Sequence, residues 1–355
     1  MPANVTFVTH QLANAISYPE HRPIQLARDL GHAITIVTVP QPGHAGFDGV
    51  DVQHVAGLPA MTRAVVASHP DLVFFERPGP FLAMAPFVPR SWVRAPERRS
   101  VASKQAMQSA CIGFVDAVTF TNPWEASRWK IPAHRRRELL YPIDLELWAV
   151  EVTRDSGFWT TRGRSVPVGP VITYVANLVS RKQHRELVDW IAPFLRENPS
   201  AQLVCPGRCY EEGLDTAIRL RAEEAGVADQ VWLAGSLSPA ECRQLIAWTD
   251  VHVVNSRDET QSMSLYEGLA ARTATTVFDY DVLTSAFPFL PRHRDAGSLG
   301  ANLELLLSEP HAAARQAEQA WPRVESAGIP VHDAQLTAGL EELLARPGRR
   351  LRWRR

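Results

Sequence analysis

Short runs rich in β-branched residues alternate with amphipathic stretches along most of the chain, and this alternation limits the fold more than any other feature. The runs Val5–Thr9, Ala33–Val39, Val50–Val55, Leu72–Phe75 and Ala117–Thr121 are separated by segments of helical character. Strands that alternate with helices predict a parallel sheet with crossover helices. In Ile24-Gln-Leu-Ala-Arg-Asp-Leu-Gly31, Ile24, Ala27 and Leu30 share one helical face, and Gly31 supplies a left-handed stop. From Ala149 to Pro170 the pattern dissolves into Thr, Arg, Gly, Ser and Pro without a period. A second series then opens at Val171–Ala176. It continues with a helix over His184–Glu197 and strand runs at Gln202–Cys205, Val231–Ala234, Val251–Asn255 and Thr275–Phe278. Ser238-Pro239-Ala240-Glu241 reads as a capping box with proline at the first helical position.

The expectation is an α/β chain of two Rossmann-like, doubly wound domains facing a central cleft, with ligands at the carboxyl ends of the strands. The domains are placed at residues 1–148 and 171–320, joined by a linker at 149–170. A helix at 321–345 is expected to return to the first domain, and 346–355 forms a basic tail. A length of 355 residues fits two cores better than one.

Composition narrows the classes. With 45% apolar and 21% charged residues the chain is globular, and no apolar run reaches the roughly 18 residues that span a bilayer. The beginning of the chain lacks the basic and apolar regions of a secretory leader, so a cytoplasmic location is expected. Four cysteines do not make a disulfide framework at this length, and Cys205 and Cys209 lack a following Cys/His pair at zinc spacing. A net charge of −1 gives no overall field for nucleic acid. The arginines nevertheless cluster at Arg90–Arg99 around Trp92, at Arg135–Arg137, and at Arg346–Arg355 around Trp353. Each cluster reads first as solvated surface. The sharper reading is contact with DNA, another polyanion, or the inner face of a membrane.

Chemistry concentrates after the run Val251–Asn255. Glu259 and Glu267 stand eight positions apart, with a helix expected to begin near Ser262. The free N–H groups at Ser262, Met263 and Ser264 suit a phosphate. Glu267 then lies roughly 7 to 8 Å further along the axis. Two glutamates at this spacing are also common on a solvated helix face, so the pair acquires meaning only from its surroundings. No P-loop, Gly-x-Gly-x-x-Gly, His-Glu-x-x-His or Gly-x-Ser-x-Gly motif occurs. Asp279-Tyr-Asp281 after an apolar strand has the form of a metal-binding Asp-x-Asp, but it sits in a strand series that fits two Rossmann-like domains.

Over Val171–Val277 the order of motifs resembles the retaining GT-B glycosyltransferases of group 1, similar to glycosyltransferase family 4. Ala176-Asn-Leu-Val-Ser-Arg-Lys182-Gln is similar to the family's Gly-Arg-Leu-x-x-x-Lys-Gly, Leu203-Val-Cys-Pro-Gly207 to its strand ending in glycine, and Ala225 through Gly235 to its next strand and loop. Val254 through Glu259 and Glu267-Gly-Leu-Ala resemble its Pro-Ser-x-x-Glu and Glu-Ala-Met-Ala. Fainter echoes lie at Leu26–Val37 and Tyr141–Trp148. The chain departs from the pattern at Ala176, Asn177, Gln183 and Arg272, where the family has Gly, Arg, Gly and Gly, and Glu76 stands where a histidine is frequent.

The resemblance implies transfer of a sugar from a nucleotide-diphosphate donor, a UDP-sugar in preference to a GDP-sugar, to a hydroxyl acceptor. Configuration would be retained and no metal required. Lys182, Arg181 and Glu259 are the implied catalytic group. Glu267, Ser262, Met263, Ser264, Gly207 and Asn177 would hold the donor, with His10 and Glu76 on the acceptor side. A nucleotide-sugar epimerase or hydrolase, or a binding protein without turnover, are the alternatives on the same fold.

Overall fold

The computed structural model describes residues 2–9, 18–39, 50–76, 79–94, 106 and 109–348. The chain divides into two compact units. One comprises Met1–Pro142 with Ile329–Arg355, the other Ile143–Gly328.

The first unit is built on a seven-stranded parallel sheet in the order β3-β2-β1-β4-β5-β6-β7. Its strands are β1 (Asn4–Thr9), β2 (Ala33–Thr38), β3 (Asp51–His54), β4 (Leu72–Phe75), β5 (Ser91–Arg94), β6 (Ala117–Phe120) and β7 (Arg136–Glu138). Every residue of β4, β5 and β6 is buried, as expected where helices cover both faces of a parallel sheet. Phe7, Phe74 and Trp92 pack on one face with Leu336, Leu340 and Leu343. The last three belong to the helix Ile329–Ala345, which approaches closely because a Cβ at Gly339 would stand 2.4 Å from the Trp92 ring.

The second unit holds a six-stranded parallel sheet in the order β10-β9-β8-β11-β12-β13. These strands are β8 (Val171–Thr173), β9 (Gln202–Pro206), β10 (Val231–Gly235), β11 (Val251–Val254), β12 (Ala274–Phe278) and β13 (Arg292–His293). Each sheet reverses its strand order once, between β1 and β4 and between β8 and β11. Loops diverge at such reversals, and ligands of doubly wound sheets bind there.

Several expectations require correction. The segment 149–170 does not form a free linker, because Phe158 and Trp159 are buried against Trp232 and Trp248 in the second unit. The first unit ends at Pro142 and the second at Gly328. The final helical stretch breaks there: Ala312–Ser326 stays with the second unit, where the Gln316 amide bridges the N–H and C=O of Thr275, and Ile329–Ala345 joins the first. Leu30 is 40% exposed, because its helix ends at Asp29 and Leu30 lies beyond the buried face of Ile24 and Ala27. Gly31 does close that helix, donating to Arg28 O while His32 donates to Ala27 O.

In two arginine clusters read as solvated face or polyanion contact, the described arginines from Arg90 to Arg94 and from Arg135 to Arg137 find partners within the first unit, while Arg98 and Arg99 lie outside the described residues. Trp92 and Arg94 are each 1% exposed, and Arg90 donates to the carbonyls of Asp71 and Arg346. Arg135 and Arg136 satisfy nearby carbonyls, and Arg137 pairs with Glu342. Trp353 and residues 349–355 lie outside the described residues. No helix among the described residues is long and apolar enough to cross a membrane.

Arg272 carries a testable cost. The helix Met263–Ala270 ends in a Schellman motif, with Arg272 N–H bonded to Leu269 O and Thr273 N–H to Gly268 O. Arg272 is exposed and left-handed at φ 56°. Glycine occupies that conformation without Cβ strain, so Arg272→Gly is expected to stabilise the second unit by roughly 0.5–1 kcal/mol, read from urea unfolding.

Candidate functional site

The carboxyl ends of β8 and β11 lie side by side, paired in parallel through Ile172 with Val251 and Thr173 with His252. Beyond β8 the chain makes a compact loop before the helix His184–Glu197. The buried Tyr174 hydroxyl donates to Lys182 O at 2.9 Å, and its ring lies 4.7 Å from that of His184. Gln183 adopts a left-handed conformation at φ 53° where a glycine would be free of strain. Its side chain offsets part of that cost by donating to Asn255 O at 3.0 Å, and Asn255 Nδ2 returns a bond to Gln183 O at 2.9 Å. Asn255 Oδ1 lies 3.0 Å from His293 Nε2. Burial holds the His293 ring neutral, lowered to about 3. Because Asn255 presents an acceptor to it, Nε2 carries the proton. This chain of bonds ties the lysine loop to the ends of β11 and β13.

The lysine loop is also fixed from β9. The Arg208 amide donates to Asn177 Oδ1 at 3.1 Å, and Leu178 donates to Arg208 O. At Gly207 a Cβ would fall 1.9 Å from Ala176 O and 2.9 Å from Asn177 Cα. Only glycine permits that approach, so Gly207 and Asn177 set the position of the loop that carries Arg181 and Lys182.

Beyond β11, Ser262 begins the helix Met263–Ala270 with no side-chain cap bond. Its first amides therefore carry an uncancelled positive end. Glu259 lies in the turn just before and is buried. Lys182 Nζ pairs with one Glu259 carboxylate oxygen, and the Arg181 guanidinium stands 3.9 Å from the other. Arg181 also donates to Asp258 O at 2.8 Å. Both cations after β8 thus converge on Asp258 and Glu259 in the turn after β11.

Glu267 sits one turn into the helix. Its side chain keeps some surface, yet the packing around its carboxyl raises it to about 7 through desolvation. The helix presses on β11 at Gly268, where a Cβ would stand 2.5 Å from His252 Nδ1. That contact fixes the depth of the helix that carries Glu267.

In the first unit Glu76 follows β4, at the reversal of the sheet. It pairs with Arg94, at the end of β5, across 3.4 Å, and Arg94 lies 4.7 Å over the Tyr141 ring. Both partners are buried. His10 lies outside the described residues. Asp279 lies 3.2 Å from Arg294 and 3.9 Å from Arg292, while Asp281 opens the helix Asp281–Ala286. Among the described residues no group of His, Cys, Asp and Glu is arranged to hold a metal ion.

Arg94, Asn255 and His293 were missed in the sequence. Arg94 was hidden in a run of arginines that resembles solvated surface. Asn255 closes a run read as strand, and His293 belongs to a two-residue strand with no pattern of its own.

Residues 162–320 match the family described as Glycosyl transferases group 1. No curated protein sequence matches the chain. Among solved structures, a glycosyltransferase from Rickettsia africae ESF-5 is similar with a TM-score of 0.80 at 11% identity, covering 97% of this chain and 99% of that one. Sucrose-phosphate synthase from Thermosynechococcus elongatus superposes with a TM-score of 0.79 at 16% identity over the same shares. HepE from Anabaena, in complex with UDP and glucose, gives 0.77 at 12% identity over 96% of this chain and 100% of its own. The fold is that of the GT-B glycosyltransferases, with two sheets of parallel strands.

Proposed function

We propose that the chain transfers a sugar from a nucleotide-diphosphate sugar to a hydroxyl acceptor with retention of configuration. The observation that carries this reading is the convergence of Lys182 and Arg181 on Glu259, three residues before the helix start at Ser262, which lacks a side-chain cap. In such a transfer the bond between the anomeric carbon and the β-phosphate oxygen breaks, and negative charge grows on the departing diphosphate. Groups that meet that charge as it develops lower the barrier more than groups that bind substrate uniformly. Lys182, Arg181 and the amides of Met263 and Ser264 fill this role and supply the positive charge without a metal. Glu259 accepts hydroxyls of the sugar and Glu267 those of the ribose. The acceptor oxygen attacks the same face that the diphosphate leaves, and its proton passes to the departing phosphate.

A UDP-sugar is the favoured donor, in keeping with the UDP-glucose complex of HepE. Glu76 and Arg94, at the end of the first unit's strands, are the candidates for orienting the acceptor. The four free thiols suit a reducing, cytoplasmic compartment.

Melting in the presence of UDP, GDP, ADP and TDP and their glucose conjugates, without added metal, tests the reading, because a ligand that binds only the folded state raises the midpoint. UDP-glucose is expected to raise the melting temperature of the wild-type chain. That rise should vanish in Lys182→Ala and Glu267→Ala, and turnover in Lys182→Ala should fall on the order of 100-fold or more. Absence of a shift with every nucleotide would sink the transferase reading. Turnover of the donor without an acceptor would move it to an epimerase or hydrolase.

A further inference from the structure

We infer that Glu259 makes the site discriminate between a sugar-loaded donor and the bare nucleotide diphosphate, an inference that rests on the donor-site reading above. One buried carboxylate serves both cations. Glu259 is paired to Lys182 and stands 3.9 Å from Arg181, with side-chain exposures of 7% for Glu259, 15% for Lys182 and 51% for Arg181. A diphosphate reaching Lys182 therefore competes with Glu259 for its charge and draws the ammonium away from the carboxylate. The displaced carboxylate stays buried with only the half-exposed Arg181 guanidinium 3.9 Å away, and a buried charge so weakly paired is costly.

What arrives with the diphosphate decides whether that cost is met. A loaded donor brings sugar hydroxyls, which donate to the carboxylate as Lys182 leaves it. The bare nucleotide brings no such donor. It brings instead a terminal phosphate able to ionise a second time near pH ~6, adding negative charge beside Glu259. The same exchange runs in reverse after transfer. Once the sugar has left, its hydroxyls no longer hold Glu259, Lys182 returns to the carboxylate, and the nucleotide is released. Glu259 thus favours the substrate over the product through a competition for one lysine, in addition to any contact it makes with the sugar.

Calorimetric titration of the full chain with UDP, GDP, ADP and their glucose conjugates tests this. Glu259→Gln keeps the shape and removes the charge. It is expected to bind the bare diphosphate about tenfold more tightly than the wild type does, because opposition from one buried carboxylate is gone. It should bind the glucose conjugate no more tightly than before. The ratio of the two affinities then shifts about tenfold toward the bare nucleotide. If Glu259→Gln does not fold, Glu259→Asp loosens the pair while keeping its charge, and a smaller shift in the same direction is expected. An unchanged ratio in the folded variant, with the wild type binding the conjugate normally, overturns this inference alone. Failure of the wild-type chain to bind any of these nucleotides overturns the donor-site reading and this inference with it.

Discussion

Gly207→Ala is expected to cost the second unit roughly 3 kcal/mol, lowering its melting temperature by roughly 6–12 °C. The added Cβ would stand 1.9 Å from Ala176 O and 2.6 Å from its carbonyl carbon, and both are backbone atoms that cannot rotate away. Either β9 withdraws from the loop after β8, or the loop moves. β9 is held by parallel pairing on both sides, and Gly207 donates to Gly235 O at 2.8 Å. The loop is the weaker partner and should yield, carrying Asn177, Arg181 and Lys182 with it. Nucleotide-induced stabilisation should therefore disappear even at temperatures where circular dichroism shows the variant fully folded. A variant that melts early yet still responds fully to UDP-glucose would show that the loop does not depend on this contact.

Binding of UDP-glucose should strengthen roughly tenfold between pH 6 and pH 8, with a midpoint near the value of about 7 to which desolvation raises Glu267. Ribose hydroxyls donate to the ionised carboxylate, so the ligand binds best once the proton has left. The conjugate avoids the second phosphate ionisation that would confuse the same measurement with UDP. In Glu267→Gln the dependence should flatten. The ligand-free chain shows the same group with opposite effect. Between its ordinary value and about 7, folded Glu267 holds a proton that the unfolded chain has released, so its contribution to stability falls as pH rises through that interval. The loss amounts to about 1–3 kcal/mol, given that the side chain keeps some surface. His184, His252, His293 and His332, all lowered to about 3 to 4 by burial, act the other way and add stability as pH climbs toward 6.5. The difference between wild type and Glu267→Gln isolates the glutamate. A pH profile unchanged by that substitution would remove Glu267 from the binding step.

Much of this arrangement was legible in the sequence where local signals were strong. The helix His184–Glu197 begins and ends where its apolar period does, and Ser238 and Glu241 close the capping box that their spacing implies. Glu259 and Lys182 meet because they follow adjacent strands, a relation that alternation and strand order foreshadow. The unread parts depend on partners distant in sequence. β7 carries only Arg136, Arg137 and Glu138, and β13 has two residues, so neither shows a strand pattern. Arg94 sits within a polar run, yet it is buried beside Glu76 and Tyr141. The stretch 149–170 lacks periodicity, but Phe158 and Trp159 are enough to anchor it. At Gln183 and Arg272 the departure from glycine changed the residue and left the left-handed backbone in place.

The return of the chain at Ile329 has a consequence for biosynthesis. The second unit is one uninterrupted stretch, Ile143–Gly328, whereas the first needs the helix Ile329–Ala345 to cover Phe7, Phe74 and Trp92. Domains emerging from the ribosome fold as units, ordinarily in the order of their synthesis. Here the order is inverted. The unit translated first waits, with an aromatic face open, until the helix Ile329–Ala345 has left the exit tunnel, and the unit translated second can be complete before it. The interval between synthesis of the second unit and emergence of that helix is thus the period in which the nascent chain exposes most apolar surface.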